Sequence, residues 1–300
     1  MHKVDVNGLE FYTIDRIEDI QKQMLRLLRI VDTICKDNGL RYFLDGGSAI
    51  GAYRHGGFIP WDDDLDICMI KQDYLRLVSE LKKMDRSKFF LFDYDLNLHY
   101  ASYFGEKVNL FCSPDNKKRH IYPIKIDIIP LNVIGNTEES LQENRMLREL
   151  SNLLFFGYCD NQYENIVKEL FRNKFESNKS KFMSFYNLEY GIRDEHGDIM
   201  LSRPAMTFST PKVYRYKDMF PLKSVQFSGM ETYVPATDVW LNDIYGDYMS
   251  FPKVKDRRPE AEKVFNARWT APLYRYLIDK TEKNKYRMLK FSLEATLLCR

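Results

Sequence analysis

The chain has 300 residues, a formal net charge of +2 and 44% hydrophobic residues, which is enough for one elaborated domain with a substantial core. So small a net charge excludes a global field for nucleic acid, and no nucleic-acid partner is expected. The N-terminal sequence MHKVDVNGLEFYTIDRIEDI lacks the apolar segment of a secretory signal, and no stretch approaches the roughly 20 apolar residues of a transmembrane helix.

The cysteines are odd in number and scattered, without the paired spacing of a zinc site or a disulfide framework. They are Cys35, Cys68, Cys112, Cys159 and Cys299. Reduced thiols are the default in the cytosol, so a cytoplasmic location is expected.

The chain begins with an extended segment, residues 1–14, followed by a helix over 15–38 whose apolar residues recur at helical spacing. Asn38 and Gly39 are typical of a helix C-terminus. A short apolar run over 40–44 then predicts the first core strand.

A glycine-rich segment follows this strand. Gly46 and Gly47 allow the backbone to approach a ligand closely, and Ser48 is a candidate N-cap for a short helix over 48–53. The free N–H groups of such a helix start favour phosphate. Taken alone, Gly-Gly-Ser is usually only a turn.

An acidic cluster comes next, at the start of a strand predicted over 63–70. Asp64 and Asp66 alternate with apolar residues, so they are expected to share one face of the strand. Two carboxylates on one face repel each other unless a cation lies between them, and Mg²⁺ suits carboxylate oxygens beside a phosphate. A solvated acidic loop is the alternative, but the glycine-rich segment followed by these carboxylates favours a functional phosphate and metal site.

A third carboxylate lies in the alternating strand YPIKIDIIP, residues 122–130. Asp127 is its single acid and is costly in an apolar strand without a partner. A buried salt bridge is the alternative to a metal ligand.

The other predicted elements before and after this strand are a helix over 73–84, strands over 89–92 and 100–104, and a polar hairpin loop over 109–120. Helical stripes begin near residue 136. Further on, two short strands over 225–227 and 229–231 surround a turn, and a helix over 236–245 is ended by Gly246. A basic amphipathic helix over 273–300 is expected to pack as a terminal helix or to lie on an anionic membrane.

The string GGSAIGAYRHGGFIPWDDDLDI resembles the LicD family, the phosphocholine transferases of bacterial surface glycans. The run WLNDIYGDYMSFP, residues 240–252, resembles a second segment of that family. The resemblance implies an α/β (α+β) fold with a nucleotidyltransferase-type mixed sheet flanked by helices. The expected division is a single catalytic domain with its core at 15–135 and 205–255, a helical insertion at 136–200 and a C-terminal helical tail at 260–300.

The resemblance also implies a metal-dependent phosphotransferase that moves phosphocholine, or a related phospho-alcohol, from a CDP-alcohol to a sugar hydroxyl of lipopolysaccharide, capsule or teichoic acid. Mg²⁺, with Mn²⁺ as an alternative, is expected on Asp64, Asp66 and Asp127, which are also the expected catalytic residues. The expected substrate-binding residues are Gly46, Gly47, Ser48, Arg54, His55, Asp63, Tyr245 and Asp247.

Two other functions stay open at this point. The same metal site could transfer a nucleotide from an NTP to a sugar phosphate or another small acceptor, or the chain could be a non-catalytic scaffold of glycan assembly. The presence of all three carboxylates favours an enzyme over a scaffold. The expected partners are a CDP-alcohol donor and a glycan acceptor, with peripheral contact at the inner face of the membrane as an alternative to a purely cytoplasmic protein.

Overall fold

The computed structural model describes residues 3–6, 9–14, 17–92, 102–115, 118–142, 200–202, 213–257 and 263–266. Most of the predicted helical insertion and the predicted helix over 273–300 lie outside these ranges. Residues 138–142, at the start of the predicted insertion, are helical. No helix within the described ranges is long and apolar enough to cross a membrane.

Within the described residues, ten strands form one mixed sheet, whose main path runs β1-β2-β12-β6-β7-β4-β3. Strand β5 pairs with β6, β8 pairs with β7 and β9, and β10 and β11 form a separate hairpin. The strands are β1 (Lys3–Val6), β2 (Leu9–Ile14), β3 (Phe43–Leu44), β4 (Asp66–Ile70), β5 (Phe89–Phe92), β6 (Ser102–Asp115), β7 (Lys118–Ile134), β8 (Met200–Ser202), β9 (Val213–Arg215), β10 (Lys223–Phe227), β11 (Met230–Val234) and β12 (Lys263–Asn266).

The helices pack around this sheet and confirm the predicted α+β class. They are α1 (Ile17–Asn38), α2 (Gly46–His55), α3 (Lys71–Lys82), α4 (Tyr216–Met219) and α5 (Val239–Tyr245), with a 3₁₀ turn at Val254–Asp256. The apolar stripe of α1, which includes Met24, Leu28 and Val31, is buried against β6, β7 and α3. Gly39 ends α1 with a φ of +62°, as a left-handed cap requires.

The β10–β11 hairpin, which the sequence predicted, packs against the end of α2. Ser228 and Gly229 form its turn with φ values of +50° and +76°, and the Ser228 N–H donates to the Gly56 carbonyl (2.7 Å). A Cβ on Gly57 would lie 2.4 Å from Ser228 Oγ, so the hairpin fixes the loop after α2 only because that position is glycine.

Three predictions of local structure were wrong. Residues 109–115 and 118–120, predicted as a hairpin loop, are strand, because β6 and β7 stay paired as far as Asp115 opposite Lys118. Their polar side chains do not prevent pairing, since the ladder joins backbone groups alone. The strand predicted over 63–70 begins only at Asp66, so Asp64 precedes it. The strand predicted over 40–44 is limited to Phe43–Leu44.

Candidate active site

The candidate site lies where β4 and β7 run side by side. These strands are parallel, and Asp66 is in register with Asp127. Neighbouring strands are about 4.8 Å apart, and residues in register project to the same face, so the two side chains are adjacent. Asp127 is buried and Asp66 is half-buried, whereas Asp64 reaches solvent from the loop before β4.

Backbone contacts fix the start of β4. The Asp45 N–H donates to the Asp66 carbonyl (3.0 Å), and the Asp127 N–H donates to the Leu65 carbonyl (2.9 Å). The Asp66 N–H donates to Ser48 Oγ (3.0 Å). Ser48, predicted to bind phosphate, is buried and uses its hydroxyl to hold the carboxylate strand against α2.

The N-terminus of α2 faces the Asp66 carboxylate. Gly46 has a φ of +51°, and a Cβ there would lie 3.4 Å from Asp66 Oδ2 and 3.2 Å from the Tyr245 hydroxyl. A Cβ on Gly47 would lie 2.7 Å from Asp62 Oδ2. The N–H groups of the first helical turn have no intrahelical acceptor, so the two glycines leave polar donors open beside the carboxylates.

Burial raises the pKa of each of the three carboxylates, and neighbouring carboxylates raise those of Asp64 and Asp66 further. The pKa of Asp66 lies well above its usual range, first because of burial and then because of the charges of Asp64 and Asp127. Burial is also the main cause of the raised pKa of Asp127. The pKa of Asp64 is raised by desolvation among its neighbours, and a hydrogen bond with Asp62 opposes this. Ionising the whole cluster therefore requires compensating positive charge.

Part of that charge comes from a residue that the sequence interpretation missed. Lys125 Nζ forms an ion pair with Asp127 Oδ1 and lies 4.1 Å from the centre of the Tyr103 ring. Burial lowers the pKa of Lys125, but the Asp127, Asp66 and Asp64 charges outweigh it, so the pKa is raised overall. The salt bridge weighed as an alternative for Asp127 is therefore present. Lys125 is two residues before Asp127, so strand periodicity could have placed both on one face.

A second missed residue positions the acidic loop. Gln21, on α1, donates from Nε2 to the carbonyls of Ile59 (3.1 Å) and Asp62 (2.9 Å). These bonds hold the backbone that leads into Asp64. One amide on the flank of an amphipathic helix carries no local sequence signal for such a role.

The chemistry of the cluster suits a hard divalent cation, because its donors are carboxylate oxygens whose negative charges lie close together. In the described ranges, however, no three His, Cys, Asp or Glu side chains converge as metal ligands. One oxygen of Asp127 is engaged by Lys125. Asp64, Asp66 and Asp127 thus form a candidate donor set whose side chains would need to rearrange around an ion.

The other predicted binding residues are arranged differently. The Tyr245 hydroxyl lies beside the N-terminus of α2, as described, and Asp63 is buried. Asp247 Oδ2 instead accepts a hydrogen bond from the Ser250 hydroxyl within its own exposed turn. Arg54 and His55 lie at the opposite end of α2 from Gly46, where Arg54 Nε donates to His55 Nε2 (3.0 Å).

Residues 39–141 match the domain described as LicD/FKTN/FKRP, nucleotidyltransferase domain. Over these residues, about a third of its length, the chain is similar to the LicD family. This range contains α2, Asp64, Asp66, Lys125 and Asp127, so the candidate carboxylates and Lys125 lie inside the matched part of the chain.

Two named relatives extend the comparison. Lipopolysaccharide cholinephosphotransferase LicD of Haemophilus influenzae is 28% identical over 268 residues, which are 80% of this chain and 95% of that protein. Ribitol 5-phosphate transferase FKRP of Homo sapiens is 47% identical over 45 residues, which are 15% of this chain and 9% of that protein. The similarity to LicD is spread over most of both chains, whereas that to FKRP is dense but local.

Proposed function

We propose that this protein belongs to the LicD family and is a transferase that moves phosphocholine from CDP-choline to a sugar hydroxyl of a surface glycan such as lipopolysaccharide. The observation that carries the proposal is the pairing of Asp66 with Asp127 on adjacent strands, beside the glycine-lined N-terminus of α2. The similarity to lipopolysaccharide cholinephosphotransferase LicD over most of the chain supports this choice of substrate.

Asp64, Asp66 and Asp127 would hold Mg²⁺, or Mn²⁺, in this proposal. Such an ion neutralises charge on the donor diphosphate and on the departing nucleotide. The donor phosphates are expected at the first-turn N–H groups of α2, where Gly46 and Gly47 leave room for them. The Tyr245 hydroxyl is a further donor at the same point.

The sugar hydroxyl attacks the phosphorus of the phosphocholine group, the bond from that phosphorus to the CMP oxygen breaks, and CMP leaves. We assign Asp127 as the acceptor of the hydroxyl proton. Its raised pKa suits a general base better than an ordinary carboxylate would. Lys125 keeps the Asp127 carboxylate oriented before the proton is transferred.

A second candidate is transfer of ribitol phosphate or glycerol phosphate from the corresponding CDP-alcohol. The dense local match to ribitol 5-phosphate transferase FKRP favours it. In this proposal the carboxylates and α2 hold the nucleotide diphosphate and the alcohol lies elsewhere, so the proposed metal site suits any of these donors. We also propose that the reaction takes place in the cytoplasm, where the free thiols of Cys35 and Cys68 stay reduced, with peripheral contact at the inner face of the membrane.

Product identification tests the reaction. The full chain is incubated with Mg²⁺, lipopolysaccharide and one candidate donor, which is CDP-choline, CDP-ribitol, CDP-glycerol, CTP or ATP, and the products are identified by mass spectrometry. The proposal predicts CMP together with a glycan heavier by one phosphocholine group. A nucleotide attached to the acceptor, obtained with CTP or ATP, would instead establish nucleotidyl transfer and refute the proposal.

A further inference from the structure

An aromatic and cationic cluster lies at the C-terminal end of α2, away from the carboxylates. The rings of His55, Trp61 and Phe251 lie within 5.5–6.4 Å of one another, centre to centre. Two guanidinium groups contact the same rings: Arg54 lies 4.9 Å and Arg257 5.1 Å from the centre of Phe251. Arg257 also lies 5.8 Å from the centre of Trp61. We call these five residues the arginine rim.

The two arginines repel each other. The pKa of Arg54 is lowered, first by burial and then by the charge of Arg257. Among the described residues, no carboxylate lies within ion-pair distance of either guanidinium. Two adjacent cations without an acidic partner create a local positive potential that favours an anion.

The rim retains hydrogen-bond donors for such an anion. Arg54 uses Nη1 to hold the carbonyls of Tyr248 (2.8 Å) and Ser250 (2.9 Å), and Nε for His55, so its Nη2 remains. Arg257 donates from Nε to the Pro252 carbonyl (2.9 Å), which leaves both of its Nη groups. In the part of the chain that the structure describes, those groups have no other acceptor. They match a phosphate monoester, which carries nearly two negative charges.

The rim is separate from the position proposed for the donor diphosphate. Arg54 is eight positions after Gly46 in α2, which corresponds to about 12 Å along the helix axis. A diphosphate at Asp66 therefore does not reach Arg54. The choline group is excluded as well, because its cation would be repelled by guanidinium groups that already contact the aromatic rings.

The aromatic side chains offer a surface for a sugar ring. Phe251 is 54% exposed and Trp61 is partly exposed, although large apolar side chains are usually buried. Trp61 immediately precedes Asp62, so the surface continues into the acidic loop of the candidate active site. A glycan lying on the rim would extend towards the carboxylates.

We propose that Arg54 and Arg257 bind a phosphate group on the acceptor glycan, with Trp61 and Phe251 supporting the sugar that carries it. That the bound glycan is the acceptor of the reaction rests on the proposed function, whereas the anion site itself does not. The acceptor class is then a phosphorylated glycan, and the phosphorylated sugar is a neighbour of the sugar that is modified.

The variant Arg257→Gln tests the inference, because Arg257 is exposed and its loss leaves the Arg54 contacts intact. With lipopolysaccharide core oligosaccharide as acceptor, we expect KM for the acceptor to rise about tenfold or more, as for loss of a charged hydrogen bond, and KM for CDP-choline to stay the same. The value of kcat should stay the same, and Arg257→Lys should recover part of the change in KM for the acceptor. Phosphatase treatment of the oligosaccharide should reduce the difference in KM between variant and wild type. Exposed Arg29→Gln on α1 is the matched control and should behave as the wild type.

A binding measurement separates this inference from the proposed function. Calorimetry of the phosphorylated oligosaccharide, without donor or turnover, should show binding that weakens about tenfold both on phosphatase treatment and in Arg257→Gln. Equal binding before and after phosphatase treatment would overturn the inference, even if phosphocholine transfer is established. Weaker binding of CDP-choline alone in Arg257→Gln would also overturn it, since the rim would then belong to the donor.

Discussion

Replacing Asp66 by Asn should stabilise the metal-free protein while removing its response to Mg²⁺. Asp66 and Asp127 lie in register on adjacent strands, so their carboxylates are about 5 Å apart, and at an effective dielectric constant of about 20 their repulsion is about 3 kcal/mol. Lys125 offsets part of it. We expect a net gain of about 1–2 kcal/mol, which corresponds to a melting temperature higher by about 2–6 °C.

Thermal unfolding by circular dichroism, with EDTA or with Mg²⁺, measures both effects. The wild type should gain stability on addition of Mg²⁺, whereas Asp66→Asn should be more stable in EDTA and should gain nothing. Asp37→Asn, at an exposed position of α1, is the control and should resemble the wild type in both buffers. A less stable Asp66→Asn variant in EDTA, or one that still responds to Mg²⁺, would refute the reasoning.

The same cluster sets the pH dependence. Because the pKa of Asp66 is raised in the folded protein, the folded state retains this proton more strongly than the unfolded state does. Stability of the metal-free protein should therefore fall as pH rises from the ordinary carboxyl pKa, about 4, through the raised pKa of Asp66. Asp66→Asn should flatten this fall, and an unchanged slope would contradict the assigned direction.

Three further variants address the residues around the cluster. Lys125→Met should lower the free energy of unfolding in urea by about 3–5 kcal/mol, because it leaves the buried carboxylate of Asp127 without its cation. Mg²⁺ should restore part of this loss. An unchanged free energy of unfolding would show that the ion pair does not stabilise the fold. Gly47→Ala should reduce turnover at least about tenfold without unfolding the protein, because the added Cβ would displace Asp62. Wild-type turnover in this variant would show that the site does not need a glycine at this position. Gln21→Leu should lower the free energy of unfolding by about 1–2 kcal/mol and should weaken Mg²⁺ binding measured by calorimetry. Unchanged Mg²⁺ affinity would show that the loop before β4 does not depend on the Gln21 hydrogen bonds.

Local sequence patterns predicted the elements that carry the candidate site. The apolar stripe of α1, the glycine pair that begins α2 and the β10–β11 turn are each determined by neighbours in the chain, and the structure contains them. The predicted element boundaries were wrong where pairing between distant residues determines the length of a strand. The β6–β7 hairpin is an example, because its polar end remains in the ladder.

The site was predicted less completely because its contacts join distant parts of the chain. The adjacency of Asp66 and Asp127 depends on two parallel strands 61 positions apart in sequence, which the family resemblance implied and local periodicity did not. Arg257 meets Trp61 and Phe251 only in the folded chain. Asp64, expected inside a strand beside Asp66, instead approaches from a loop held by Gln21.

Calorimetric binding of CDP-choline with and without Mg²⁺ tests the central claim most directly, with Asp66→Asn measured in parallel. We expect binding that requires Mg²⁺, that CTP and ATP do not reproduce, and that is lost in Asp66→Asn. Metal-independent binding of CDP-choline, or binding that Asp66→Asn retains, would contradict the claim that Asp64, Asp66 and Asp127 hold a metal ion at the donor diphosphate.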